Sequence, residues 1–89
     1  MVINIPAPIS AHLQGLTQIE LKANTLPAVV TELRKQYPKL YGLLCTSQDT
    51  LNGFVNIYLN QARVSDQLHI HRELRDSDIL EIVVSVSGG

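Results

Sequence analysis

The hydrophobic and polar positions of this chain recur with two periods, and the changes between them mark out its elements. Val2-Ile3-Asn4-Ile5 predicts a short strand, stopped by Pro6 and Pro8, which lack the N–H that a ladder needs. Ala7 to Gly15 reads as a loop containing His12. From Leu16 to Lys22, Thr17, Ile19 and Leu21 share one face while Gln18, Glu20 and Lys22 share the other. Such alternation predicts a strand with one wet face, close enough to the first to form an antiparallel hairpin.

The period then changes. Leu26, Val29, Val30, Leu33 and Tyr37 form one buried helical stripe, with Glu32, Arg34, Lys35 and Gln36 outside it. Asn24 or Thr25 can cap this helix, Pro27 fits its first turn, and Pro38 is expected to end it. Lys39 to Leu44 predicts a further helical turn anchored by Leu40, Leu43 and Leu44. Cys45 to Gly53 is polar and reads as a surface loop.

Phe54 to Leu59 returns to period two, with Val55, Ile57 and Leu59 on one face and Phe54, Asn56 and Tyr58 on the other. Asn60-Gln61 is a tight-turn candidate because Asn tolerates the left-handed region. Ala62-Arg63-Val64 comes back as a short strand, Gln67 to His71 reads as a brief extended piece, and Asp76-Ser77-Asp78 turns into the closing strand. In that strand Leu80, Ile82 and Val84 alternate with Ile79, Glu81 and Val83. Both sets are mostly apolar, which predicts a strand near the sheet centre with little solvent on either face.

Two strands, one amphipathic helix, then a strand, a short strand and a strand predict an α+β domain. Only one face of the sheet needs a cover. Pairing the first and last strands in parallel at the centre buries the two most apolar ones. That arrangement is the β-grasp, ubiquitin-like fold: a mixed sheet of four to five strands with one main helix on one face. The boundaries expected are 1–86 for this domain and 87–89 for a flexible diglycine tail.

Composition narrows the functional classes. Eighty-nine residues suit one small domain, and 45% hydrophobic with 17% charged residues is a globular balance. Tryptophan is absent, so the core is expected to be aliphatic. A net charge of −1, without a basic patch interleaved with aromatics, argues against a nucleic-acid partner. No apolar run approaches membrane-spanning length and the first ten residues lack signal-peptide character, so no membrane partner is expected. A single cysteine fits a reducing, cytoplasmic location.

Candidate chemistry concentrates at Ser87-Gly88-Gly89. A frayed end or an engineering scar would explain two glycines here. Alternatively the carboxylate is the reactive group, and residues without Cβ let it thread a narrow cleft. Elsewhere the signals are weaker. Cys45 has no second Cys or nearby His to activate it and reads as an inert loop thiol. His69 and His71 form an H-x-H pair lacking further ligands at fitting spacing, so no metal is expected. Asp76 and Asp78 fit turn capping better than acid–base work. Gly15, Gly42 and Gly53 are isolated and make no phosphate-cradling loop. The chain is not expected to be an enzyme by itself.

Three stretches, taken together, resemble the ubiquitin-like sulfur carrier family, which includes the small subunit of molybdopterin synthase and the thiamin-pathway carrier. They are Thr25-Leu26-Pro27-Ala28-Val29-Val30, Phe54-Val55-Asn56-Ile57-Tyr58-Leu59-Asn60, and Ser77-Asp78-Ile79-Leu80-Glu81-Ile82 with Val86-Ser87-Gly88-Gly89. The resemblance covers essentially the whole chain. It implies that Gly89 carries the function: an E1-like activating enzyme adenylates its carboxylate with ATP, and a sulfur donor protein supplies the sulfur. The resulting thiocarboxylate is consumed by a client biosynthetic enzyme. The carrier itself binds no cofactor. Gly88 and Ser87 serve threading. Phe54, Tyr58, Ile79, Glu81 and Val83, on the sheet face away from the helix, are the candidate docking surface, ordinary packing under the long loop being the alternative for Phe54 and Tyr58.

Two departures accompany the resemblance. Many relatives carry prolines where this chain has Val84 and Ser85, and a glycine where it has Ser77. The length, the segment from Tyr37 to Gly53 and the Phe54–Asn60 stretch look more like carriers feeding cysteine or homocysteine synthesis than the compact thiamin carrier. Molybdenum cofactor synthesis is the alternative pathway. A non-covalent binding module and a protein modifier joined to lysines are the alternative functions.

Overall fold

The computed structural model describes residues 1–46, 50–68, 70 and 72–85. Its strands are β1 (Val2–Asn4), β2 (Gln18–Glu20), β3 (Val55–Leu59), β4 (Ala62–Arg63) and β5 (Ile79–Val84). Its α-helices are α1 (Ala7–Ser10), α2 (Leu26–Gln36) and α3 (Pro38–Leu44). The strands form one sheet in the order β2-β1-β5-β3-β4. β1 pairs with β5 in parallel, while β1·β2, β3·β5 and β3·β4 are antiparallel. The first and last strands therefore meet as neighbours at the centre, as the pattern predicts.

The core is aliphatic. Ile3, Leu80, Ile82, Val55, Ile57 and Leu59 project from one sheet face onto Leu26, Val29 and Leu33 of α2 and Leu40 and Leu44 of α3. Thr25 caps α2, its Oγ1 accepting from the Ala28 N–H at 3.2 Å, and Pro27 occupies the first turn. Pro38 ends α2 as expected, with Tyr37 at φ −133° and ψ 60°, but it also opens α3. The missing N–H that breaks one helix costs nothing at the start of the next.

Several expectations are corrected. The loop expected from Ala7 to Gly15 contains α1 and a 3₁₀ turn at Ala11–Leu13. Pro8 sits in the first turn of α1, and Ile9 anchors it in the core. Gln14 and Gly15, at φ 58° and 85°, then reverse the chain into β2. β2 is shorter than Leu16 to Lys22, and Thr17 is exposed rather than inward. The extended piece expected from Gln67 begins instead in a 3₁₀ turn, Ser65–Gln67; His69 and His71 lie outside the described residues.

β5 is central but not wet-free. Ile79 and Val83 are 41% and 40% exposed, because α2 and α3 lie on the opposite face. Cys45 is not a surface thiol: it follows α3 directly, bridges to Leu51 and is buried.

Candidate functional site

Pleating puts every second residue of each strand on the uncovered face, and the register joins these residues into rows. One row runs Gln18, Asn4, Glu81, Tyr58 and Arg63 across all five strands. Gln18 Nε2 donates to Asn4 Oδ1 at 2.9 Å within it. To one side Asn56 pairs with Val83, and to the other Val2 pairs with Ile79. Phe54 precedes β3 and is 44% exposed. Phe54, Ile79, Glu81 and Val83 are exposed and Tyr58 is half-buried. The expected docking residues thus share one face, opposite the helices.

The end of β5 nearest the diglycine is bonded to β3. The Ser85 N–H donates to the Phe54 carbonyl at 2.7 Å, carrying the ladder one residue beyond Val84. The departure from proline at these positions lets the strand run longer, because serine supplies an N–H that proline lacks. Ser87, Gly88 and Gly89 lie outside the described residues.

The other end of β5 is held by a clamp that periodicity does not reveal. Asn60, at φ 49°, and Gln61, at φ 74°, form the expected turn. Asn60 Nδ2 donates to Asp78 Oδ1 at 2.9 Å, and its Oδ1 accepts from the Ile79 N–H at 3.0 Å. Asp78 Oδ2 accepts from the Arg75 N–H at 2.8 Å. These bonds, first that from the Arg75 backbone and then that from Asn60, hold the Asp78 carboxyl below its ordinary pKa. Asp78 is therefore a turn-capping carboxylate, as expected, and Asp76 beside it is exposed.

Other candidates carry less. Burial pushes the Cys45 thiol up, so at neutral pH it is a protonated, weakly nucleophilic group. It lines a cavity of about 30 Å³ together with apolar side chains that include Val30, Leu44, Leu51 and Leu68. Among the described residues no group of three or more His, Cys, Asp or Glu could hold a metal ion. Among the same residues no helix is long and apolar enough to cross a membrane.

Comparison with known proteins places this geometry. The sulfur carrier protein CysO of Mycobacterium tuberculosis is 29% identical over 91 residues, spanning 100% of this chain and 98% of its own length. A chain of the Amycolatopsis orientalis BexX/CysO complex superposes with a TM-score of 0.78 at 25% identity, covering 99% of this chain and 98% of that one. The crystal structure of Mycobacterium tuberculosis CysO matches with a TM-score of 0.76 at 26% identity, over 96% of this chain and 98% of its own. These neighbours share the β-grasp architecture. The ThiS family model matches residues 5–89, so the match runs through both glycines. With the fold, the full-length likeness and that match in agreement, the chain belongs to the ThiS family.

Proposed function

We propose that this protein is a sulfur carrier whose Gly89 carboxylate is converted to a thiocarboxylate and spent by a client enzyme of amino-acid thiolation, cysteine synthesis being favoured. The observation that carries the reading is the Gly88-Gly89 pair four residues beyond the central strand, in a chain whose family match includes both glycines. The cysteine branch rests on the CysO relatives, which are similar along the whole chain.

The chemistry explains why a carrier needs partners. A carboxylate is a poor electrophile, so an E1-like enzyme first joins it to the α-phosphate of ATP, releasing pyrophosphate. Sulfide delivered by a sulfur donor protein attacks the acyl carbon of that adenylate, and AMP leaves with the bonding electron pair. The product is a thiocarboxylate whose sulfur is a soft nucleophile held on a protein. In this scheme the carrier is a co-substrate and not a catalyst, and ATP belongs to the activating enzyme. The exposed face of Phe54, Tyr58, Ile79, Glu81 and Val83 would meet the partners, supported by its apolar exposure beside the strand that leads to the tail. The BexX/CysO complex gives a structural relative held in an assembly. All three partner classes are compatible with a cytoplasmic protein.

Incubation with the activating enzyme, ATP and a sulfide source, followed by intact-mass analysis, tests the reading. One oxygen exchanged for sulfur is expected. Absence of exchange, or exchange that survives deletion of Gly89, rules it out.

A further inference from the structure

Ser85 is the root of the segment that carries the diglycine, and its side chain is tied down as well as its backbone. Its Oγ accepts from Asn56 Nδ2 at 3.2 Å. The orientation of that amide is fixed from the other side. Asn56 Oδ1 accepts from Arg63 Nε at 3.1 Å and lies 3.2 Å from Ser65 Oγ. Ser65 Oγ accepts from the Ile57 N–H at 2.8 Å, and of the two acceptors for its own proton Asn56 Oδ1, at 3.2 Å, is nearer than the Ile57 carbonyl at 3.5 Å. Arg63 is steadied by Asp66, 3.6 Å away. A directed chain of donors therefore runs Ile57 to Ser65 to Asn56 to Ser85. Only the NH₂ side of Asn56 is left to face Ser85.

We propose that Asn56 is a positioning residue for the reaction at Gly89: through Ser85 it sets the point at which β5 leaves the sheet, and so the reach of the tail. The role rests on the sulfur-carrier reading above. Four residues follow Ser85. At roughly 3.3–3.6 Å per extended residue, the carboxylate cannot lie more than about 14 Å from that anchor. Peeling Ser85 and Val84 from β3 would lengthen the tether by about 7 Å and free it to sample many orientations. Fixing the tether's origin at Ser85 limits the volume that the carboxylate can reach, and so raises its effective concentration at a bound nucleotide. It also bounds the partner: the nucleotide must come within about 14 Å of Ser85, whose N–H is held by the Phe54 carbonyl.

The test uses full-length protein and two readouts, hydrogen exchange of the Ser85 amide and steady-state thiocarboxylation with the activating enzyme. Asn56→Ala and Ser85→Ala should each speed exchange at Ser85 about threefold to tenfold, and the double variant should be no faster than either. Each should lower kcat by a similar factor while KM for the carrier changes little. Asn56→Asp should restore both readouts, because the Ser85 hydroxyl can reverse its role and donate to the new carboxylate. Restoration should vanish in Asn56→Asp/Ser85→Ala. Unchanged exchange at Ser85, additive effects in the double variant, or a loss confined to KM would overturn the positioning role. If wild-type protein is never thiocarboxylated, the carrier reading falls and the positioning role with it, whereas the exchange data still decide the tether.

Discussion

Asn60 Nδ2 bonds the Asp78 carboxylate at 2.9 Å across eighteen residues of sequence, joining the β3–β4 turn to the first residue before β5. Because the same side chain also accepts from the Ile79 N–H, it fixes the register at which the central strand begins. Asn60→Ala removes both bonds and puts alanine, which tolerates the left-handed region less well than asparagine, at φ 49°. A loss of about 1–2 kcal/mol is expected by urea unfolding. Asp78→Ala should cost less when added to Asn60→Ala than alone; full additivity would show that the two residues do not act together.

The pH dependence of this clamp has a definite sign. Asp78 ionises more readily in the folded than in the unfolded chain. Its contribution is present above the unfolded carboxyl pKa of about 3.9 and is lost as pH falls through the lower folded value. Wild type should therefore exceed Asp78→Asn in urea midpoint at pH 7, and the gap should narrow by pH 3. A gap that widens in acid contradicts the assignment.

Leu40 is 1% exposed and fastens α3 to the core. Leu40→Ala should cost about 2–5 kcal/mol, a large share of the roughly 5–15 kcal/mol available to a domain. Thermal unfolding checks this. A fall within the range of a surface substitution would mean that α3 is not part of the cooperative unit.

Cys45 should resist alkylation. With the thiol buried and its pKa raised, iodoacetamide at pH 8 should label it at least about tenfold more slowly than free cysteine, with full speed restored in urea. Native labelling at the free rate would place the thiol at the surface.

Phe54→Ala and Val83→Ser change side chains that are 44% and 40% exposed, so each should cost no more than about 1.5 kcal/mol of unfolding free energy. Both should raise KM for the activating enzyme. If kinetics are untouched while stability drops, these side chains pack within the domain and do not dock a partner.

The parts of the fold that could be read in advance are those where period and punctuation agree. α2 had its stripe, its Thr25 cap and its terminal Pro38; the β3–β4 turn had Asn60; and the parallel centre followed from two apolar strands at opposite ends of the chain. α1 escaped because one turn is too short for a helical period, and its prolines also break strands. Cys45 looked exposed in a polar stretch, yet α3 delivers it into the core before that stretch begins. The uncovered sheet face was legible as alternation in β3 and β5. The Asn56–Ser85 tether was not, since Arg63 and Ser65 reach Asn56 only after the chain has turned through β4.

The most direct measurement of the central claim is fragmentation mass spectrometry of the C-terminal peptide after reaction with the activating enzyme, ATP and sulfide. Sulfur located on the Gly89 carboxyl carbon is the result predicted. Sulfur found on Cys45, or a Gly89 carboxyl group that still carries two oxygens, would contradict it.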